Sequence, residues 1–372
     1  MRQPIRILLL ADSHLGFDLP ERPRSGRRRR GEDFLANYAS ALAPALAGEV
    51  DLVVHGGDVF DRPRVSPALA WQGLEPLARI ADTGIAVFVV PGNHERSRLP
   101  HRRFATHPLV HLFDRPRTFE LEVRGERLAV AGFPFERRDI RTRFPEVLER
   151  TGWRKTRAAV RLLCMHQCVE GATVGPVGFT FRGAADVVRC ADLPGELSAV
   201  VSGHIHRHQV LTRDLYGCPL ATPVLYPGSI ERTSFAEIDE AKGYMLLTVA
   251  DGAVRSSFMR LYARPMVAHE LDVTGMRPAE VSASVGGMVE SAPEDAVLRI
   301  SVKGVPVEGV WRELSAPRIR SVAPAGMTVE IRAGDNSAFG RRRDRHGSRR
   351  MRRAGTPVPA ASPQLDLGVF GA

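Results

Sequence analysis

The stretch AVFVVPGNHE, residues 86–95, decides how the rest of the chain is read. It opens on a run of Ala, Val and Phe suited to a strand buried on both faces. The next residues, Gly92, Asn93, His94 and Glu95, bring an amide, an imidazole and a carboxylate to the mouth of that strand. One strand end of this kind is more often turn chemistry than a site, but here the chain repeats it. IRILLL (5–10) runs into Asp12 and His14, and VDLVVH (50–55) into GGDVFD with Asp58 and Asp61. VRLLCM (160–165) runs into His166, and LSAVV (197–201) into SGHIH with His204 and His206. RLAVAGF (127–133) is the exception and continues as GFPFERR.

Helical stretches are predicted between several of these strands, over residues 34–46 and 68–81, with a short third over 184–190. Strands alternating with helices imply an α/β layered core, in which loops at the carboxyl ends of neighbouring strands converge on one crevice. The polar clusters would then meet there. Three Asp or Asn oxygens and four imidazoles exceed what one zinc ion needs. They suit two first-row divalent ions sharing a bridging carboxylate, which is the arrangement of phosphoryl-transfer chemistry. The glycines before Asp58 and His204 are expected to let the backbone come close to such ions.

Composition sets the wider bounds. The 372 residues are 44% hydrophobic and 25% charged, enough for a substantial core. The apolar runs are far shorter than the ~20 residues that span a bilayer, and ILLLA leads into Asp12 without a small-residue cleavage site, so a cytoplasmic protein off the membrane is expected. The four cysteines, Cys164, Cys168, Cys190 and Cys218, lack metal-site spacing and are read as buried reduced thiols. The net charge of +10 is unevenly placed. Residues beyond 340 carry eight Arg against Asp344 and Asp366, or +6, leaving +4 for the rest. Within that rest, RPRSGRRRR (22–30) concentrates six Arg just after Asp12 and His14, where a polyanion could be held.

DSH (12–14), GDVFD (57–61), GNHE (92–95), the isolated His166 and GHIH (203–206) together resemble the calcineurin-like metallophosphoesterase superfamily. DSHLG, HQCVEGATV (166–174) and the block YPGSIERTSFAEIDEAKGY (226–244), with its GS-x-x-R-x-x-F-x-E pattern, resemble its SbcD-type DNA exonuclease branch. The likeness covers roughly residues 1–265. It implies a four-layer sandwich of two β-sheets flanked by helices, with a small α+β cap. The expected division is a catalytic domain over 1–264, a cap over 265–333 that contacts DNA, and a disordered Arg-rich tail over 334–372.

Carried onto this sequence, the resemblance has Asp12, His14, Asp58 and His206 holding one ion, and Asp58, Asn93, His166 and His204 the other, with Asp58 as bridge. His94 would protonate the leaving oxygen or stabilise transition-state charge, oriented by Asp61. The ions would be Mn²⁺ or Fe²⁺, since mixed imidazole and carboxylate ligands suit these better than Mg²⁺. Arg27, Arg28, Arg29 and Arg30 would contact the DNA backbone. DNA as substrate, an SbcC-type ATPase subunit as partner, homodimer assembly and a role in DNA repair or end processing are implied with it. Longer members continue into helices that dock on the ATPase, and this tail shows no amphipathic helix. Two other functions share these residues. One is a phosphodiesterase or phosphatase for small phosphate esters or nucleotides; the other is a non-catalytic DNA-binding protein, which would require damaged metal motifs. His55, His101, His107, His111 and His208 are read as surface or loop histidines, with His208 nearest the site.

Overall fold

The structure, a computed structural model, describes residues 3–19, 29–95, 104–250 and 253–333. The tail over 334–372, together with Arg27, Arg28 and His101, lies outside the described residues. In chain order the first half gives β1 (Ile5–Leu10), α1 (Gly31–Leu46), β2 (Leu52–His55), α2 (Pro67–Asp82), β3 (Ala86–Val89), β4 (Val110–Leu112), β5 (Arg117–Val123), β6 (Glu126–Gly132), α3 (Ile140–Arg150) and β7 (Val160–Met165). Four two-residue strands follow: β8 (Cys168–Val169), β9 (Thr173–Val174), β10 (Phe179–Thr180) and β11 (Val187–Val188). Then come β12 (Ala199–Ser202), β13 (Gln209–Arg213), β14 (Pro219–Tyr226), β15 (Gly243–Ala250) and β16 (Ala253–Arg260).

Two six-stranded sheets form, in the orders β16-β15-β1-β2-β3-β4 and β13-β14-β12-β7-β6-β5. The strands that end in candidate ligands are parallel to their neighbours: β1 to β2 and β2 to β3 in one sheet, β7 to β12 in the other. Strand alternation sorts the apolar residues into layers. Ile7, Leu9, Val54 and Phe88 face Val130, Leu162, Cys164 and Val201 across the centre. Leu8, Leu10, Val53 and Val87 point outward onto Phe34, Leu42, Leu74 and Leu77 of α1 and α2. Leu163, Met165 and Val200 point the other way, onto Ile140, Phe144 and Leu148 of α3. The result is the expected four-layer sandwich. α2 begins on Ser66, whose hydroxyl accepts from Leu69 N at 3.3 Å, with Pro67 at the first turn where no N–H is needed.

The expected helix over 184–190 does not form. Val187 and Val188 instead pair in parallel with Cys168 and Val169, where β-branched side chains fit a small two-stranded ladder. A helix not anticipated from the sequence, α3, covers the second sheet. Among the cysteines, Cys164, Cys168 and Cys190 are buried free thiols, whereas Cys218 is exposed.

Beyond Arg264, β17 (Met266–Asp272), α4 (Pro278–Ser291), β18 (Val297–Lys303), α5 (Val310–Glu313), α6 (Ala316–Val322) and β19 (Thr328–Ala333) build a three-stranded parallel sheet, β17-β18-β19. Its helices pack Val281, Val285 and Ile319 on Leu298, Ile300 and Val302, an apolar cluster of its own. No helix among the described residues is long and apolar enough to cross a membrane.

Candidate metal centre

The strands of both sheets end on one crevice. There the chain must turn sharply to aim side chains inward, and Asp12, His14, Asp58 and His204 do so with φ of 50°, 42°, 52° and 80°. Asp and His tolerate this left-handed region better than most residues. The turn after β1 and the turn after β2 are tied together, because Asp12 N donates to Gly57 O at 2.9 Å and His14 N to Asp58 O at 3.0 Å.

All seven sequence-derived candidate ligands come together. His14 Nε2 lies 3.0 Å from His206 Nε2. Asn93 Oδ1 lies 3.0 Å from both His166 Nε2 and His204 Nδ1. Asp58 Oδ2 stands between the two groups, 3.2 Å from His166 Nε2 and 4.0 Å from His14 Nε2. Asp12 Oδ1 is similarly intermediate, 3.9 Å from His166 Nε2 and 4.0 Å from His206 Nε2. Asp12–His14–His206 and Asp12–Asp58–His166 are each close enough to share an ion. Donor atoms about 2.1 Å from a common ion are about 3.0 Å apart at right angles and about 4.2 Å apart when opposite, so the shorter spacings fit neighbouring positions of a coordination shell and the 3.9–4.0 Å spacings wider angles.

Backbone donors aim the carboxylates. Asp58 Oδ1 accepts from His94 N at 2.9 Å, which leaves Oδ2 to the histidines. His204 N donates to both Asp12 oxygens, at 3.0 and 3.1 Å. Glu95, which closes the AVFVVPGNHE stretch, is buried and accepts from Phe60 N at 2.9 Å and Gly92 N at 2.8 Å. It thus staples the Asp58 turn to the Asn93–His94 turn. The two glycines leave room for His166, and Gly203 also lets the backbone come close, since a Cβ there would meet Gly56 O at 2.4 Å. A Cβ on Gly57, whose φ is +109°, would meet His166 Nδ1 at 2.2 Å, and one on Gly203 would meet the same atom at 2.8 Å. His166 Nδ1 donates to Gly56 O at 2.8 Å, which turns Nε2 toward the centre.

The electrostatics follow from this packing. Burial opposes charge on Asp58 and His166, yet their mutual attraction and hydrogen bond prevail: the Asp58 carboxyl is held well below its usual range and the His166 imidazole is raised to about 9. A divalent ion would have to displace that proton, so its affinity would rise with pH. Burial, with His166 nearby, pushes His204 down to about 3, leaving a neutral ligand. Burial, with Asp58 adding to it, raises Glu95 to about 8 despite the two amides. Burial alone would lower His206, but Glu237 and then Asp12 raise it.

His94 sits at the rim, its side chain 38% exposed, with Nε2 4.0 Å from Asp58 Oδ2. Asp61 meets His94 chiefly through its backbone. His94 Nδ1 is held by Asp61's backbone oxygen at 2.8 Å, while the carboxylate lies closer to His14 Nδ1 (3.5 Å) than to His94 Nδ1 (3.9 Å). His94 also clusters with His14 and Asp58. Among the basic residues, Arg29 reaches Asp18 and remains partly exposed. Arg30 is corrected as a DNA contact, since it is 9% exposed, stacks over Phe17 and donates to Arg232 O. His55 is no surface residue either: it is fully buried under the centre at 2.9 Å from Ser13 Oγ. His208 packs flat on Phe258 with ring centres 4.0 Å apart, and its Nδ1 lies 3.0 Å from Tyr226 O.

A subunit of the nuclease SbcCD, from Bacillus subtilis, is 30% identical over 281 residues, covering 67% of this chain and 67% of that one. The DNA double-strand break repair protein Mre11 of Aeropyrum pernix is 23% identical over 282 residues, covering 72% of this chain and 64% of the relative. The chain thus spans about two thirds of their lengths. Among solved structures, a dimetal phosphatase from Danio rerio aligns over 67% of this chain and 94% of its own, at 13% identity and a TM-score of 0.41. The calcineurin-like phosphoesterase family matches residues 5–208, more than half of the chain. The chain therefore belongs to the calcineurin-like phosphoesterase family, whose members are metal-dependent phosphoesterases.

Proposed function

We propose that this protein is a two-metal-dependent DNA nuclease of the SbcD type, acting in DNA repair or end processing in the cytoplasm. The observation that carries the reading is the position of Asp58 Oδ2 between the His166 and His14 nitrogens, with the other four candidate ligands around them. DNA as the substrate is supported by the 30% identical SbcCD nuclease protein and by the GS-x-x-R-x-x-F-x-E block, Gly228 to Glu237.

Asp12, His14, Asp58 and His206 would hold one ion; Asp58, Asn93, His166 and His204 would hold the other. When bound, such a pair, Mn²⁺ or Fe²⁺ by its donor set, activates water for in-line attack and neutralises charge on the phosphate. The protein's own groups do the rest. Asp61 O accepts the hydrogen bond from His94 Nδ1, which leaves Nε2 to face the crevice and act on the leaving oxygen. Arg27, Arg28 and Arg29 neutralise backbone phosphates of the bound DNA. Residues 265–333 form a cap that extends the DNA-contacting surface. An SbcC-type ATPase subunit and a second copy of this chain complete the assembly.

The test is the purified chain with Mn²⁺, offered linear duplex DNA, single-stranded DNA and a generic phosphodiester. Metal-dependent cleavage of DNA is the expected result. Turnover of the small ester with intact DNA would instead make the protein a phosphodiesterase for small phosphate esters.

A further inference from the structure

The two halves of the centre are backed differently. His166 gives its Nδ1 proton to the neutral carbonyl of Gly56. His206 turns Nδ1 instead toward a buried carboxylate, Glu237 Oε1, at 3.2 Å, with Thr233 Oγ1 at 3.3 Å beside it. Thr233 Oγ1 donates to that same carboxylate oxygen at 2.6 Å. Behind Glu237 lies Lys242, 1% exposed. Its ammonium donates to Glu237 Oε2 at 2.5 Å, His206 O at 3.0 Å and Glu240 Oε2 at 3.1 Å. An ammonium has three donors, and here each has an acceptor. The backbone and the ring of His206 are thus gripped by one segment, 229–242, which also takes Ser229 N to His206 O at 3.0 Å.

A buried cation and anion with complete hydrogen bonding are costly to assemble and are not explained by stability alone. An apolar pair would fill the same space. What this pair provides, and an apolar one would not, is a fixed anionic acceptor behind an imidazole. We propose that Glu237, supported by Lys242, is the positioning residue for His206: it accepts the Nδ1 proton and so fixes Nε2 as the metal-facing atom of the Asp12–His14–His206 site. The inference rests on the reading that these three residues hold an ion. An imidazole backed by a carboxylate is fixed in tautomer and is the more basic ligand, and loss of such a partner commonly weakens metal binding by about 10–100-fold.

The test is calorimetric titration of Mn²⁺ into the chelator-stripped full chain, independent of any substrate. Wild type is expected to show two binding steps. Glu237→Gln keeps the size of the side chain and removes its charge; it should weaken one step by about 10–100-fold and leave the other step close to wild type, while the melting temperature of the metal-free protein falls because Lys242 loses an anionic partner. The affected step should be the one that His206→Ala removes, and combining the two substitutions should cost that step nothing further. Equal weakening of both steps, weakening of the step that survives His206→Ala, or no change would each overturn the proposal. Should Glu237→Gln fold poorly because Lys242 loses its partner, Glu237→Gln with Lys242→Met removes both charges and carries the same expectation for the two binding steps. Fewer than two steps in wild type would instead overturn the two-ion reading itself, and the proposal with it.

Discussion

The sandwich, whose two sheets mix parallel and antiparallel pairs, and the all-parallel three-stranded unit after Arg264 both place helices between parallel strands, yet they turn their chains differently. At the strand mouths of the sandwich, Asp12, His14, Asp58 and His204 adopt positive φ. Among the described residues of the three-stranded unit, positive φ occurs at Gly275, Gly304 and Gly309. A left-handed backbone costs a residue with a Cβ about 1–2 kcal/mol. The small unit avoids that cost by turning where no side chain is needed, whereas the sandwich bears it at side chains it must keep. Of the seven described non-glycine residues with positive φ, four are these convergent Asp and His residues, the others being Asp18, Arg124 and Asp139, and that share marks the crevice as the working end of the fold.

The largest effect should come from Asp58, the residue between the two groups. Asp58→Asn should reduce hydrolysis by more than the roughly 10²–10³-fold lost with one preorganised donor, because it removes charge from both coordination shells. Metal content by elemental analysis alongside turnover checks this, and normal values for both would remove the bridge from the mechanism.

His94→Ala comes next, with about 10²-fold or more lost in rate and both ions retained, since its Nε2 is assigned to the phosphate. Its proximity to His14 and Asp58 makes this a sharp measurement. Loss of an ion would make His94 a ligand.

A matched pair of glycine substitutions tests the comparison directly. Gly57→Ala should perturb His166 and lower both metal affinity and rate, about 10-fold or more, as when the group that orients a metal ligand is removed. Gly304→Ala has φ of +83° and a Cβ 2.1 Å from Thr274 Oγ1, so it should cost about 1–2 kcal/mol of stability without touching metal binding. If both variants affected metal binding and melting alike, the distinction between the two regions would not hold.

The smallest effect concerns the basic loop. Replacing Arg27, Arg28 and Arg29 by Ser should weaken DNA binding and flatten its salt dependence by up to about 0.9 in slope for every phosphate no longer neutralised. Arg30→Ser should act on the melting temperature instead, because that side chain is buried against Phe17 and Arg232. Equal salt slopes for the triple variant and wild type would remove the loop from the DNA-binding surface.

Most of the sandwich was legible because its strands are short apolar runs closed by polar turns: IRILLL and VRLLCM are β1 and β7 residue for residue. α3 was overlooked although Ile140, Phe144, Val147 and Leu148 carry a helical spacing, because the charged residues among them dilute it. Residues 184–190 misled because two adjacent valines suit either element, and the partner that decides, Cys168–Val169, is distant in sequence. The candidate ligands could be read because they follow directly on short apolar strands, singly or in pairs. Glu95, Glu237, Lys242 and His55 could not, since their roles depend on what folding brings against them. Glu95 and Glu237 stand inside the GNHE and GS-x-x-R-x-x-F-x-E motifs, but nothing local shows that one staples two turns and the other backs an imidazole.

Arg264 lies between β16 and β17, and its side chain sews the sandwich to the three-stranded unit. Its guanidinium donates to Asp33 of α1 at 3.1 Å, to Asp295 O at 2.7 Å and to Gly326 O at 2.9 Å, while its own carbonyl accepts from Arg232 at 3.0 Å. The three-stranded unit therefore has a private apolar core and a shared polar closure. A fragment beginning at 265 would lose the guanidinium donor to Asp295 O and Gly326 O, and one ending at 264 would carry a guanidinium without those acceptors. Anyone shortening or fusing this protein should treat residue 264 as a seam and cut elsewhere.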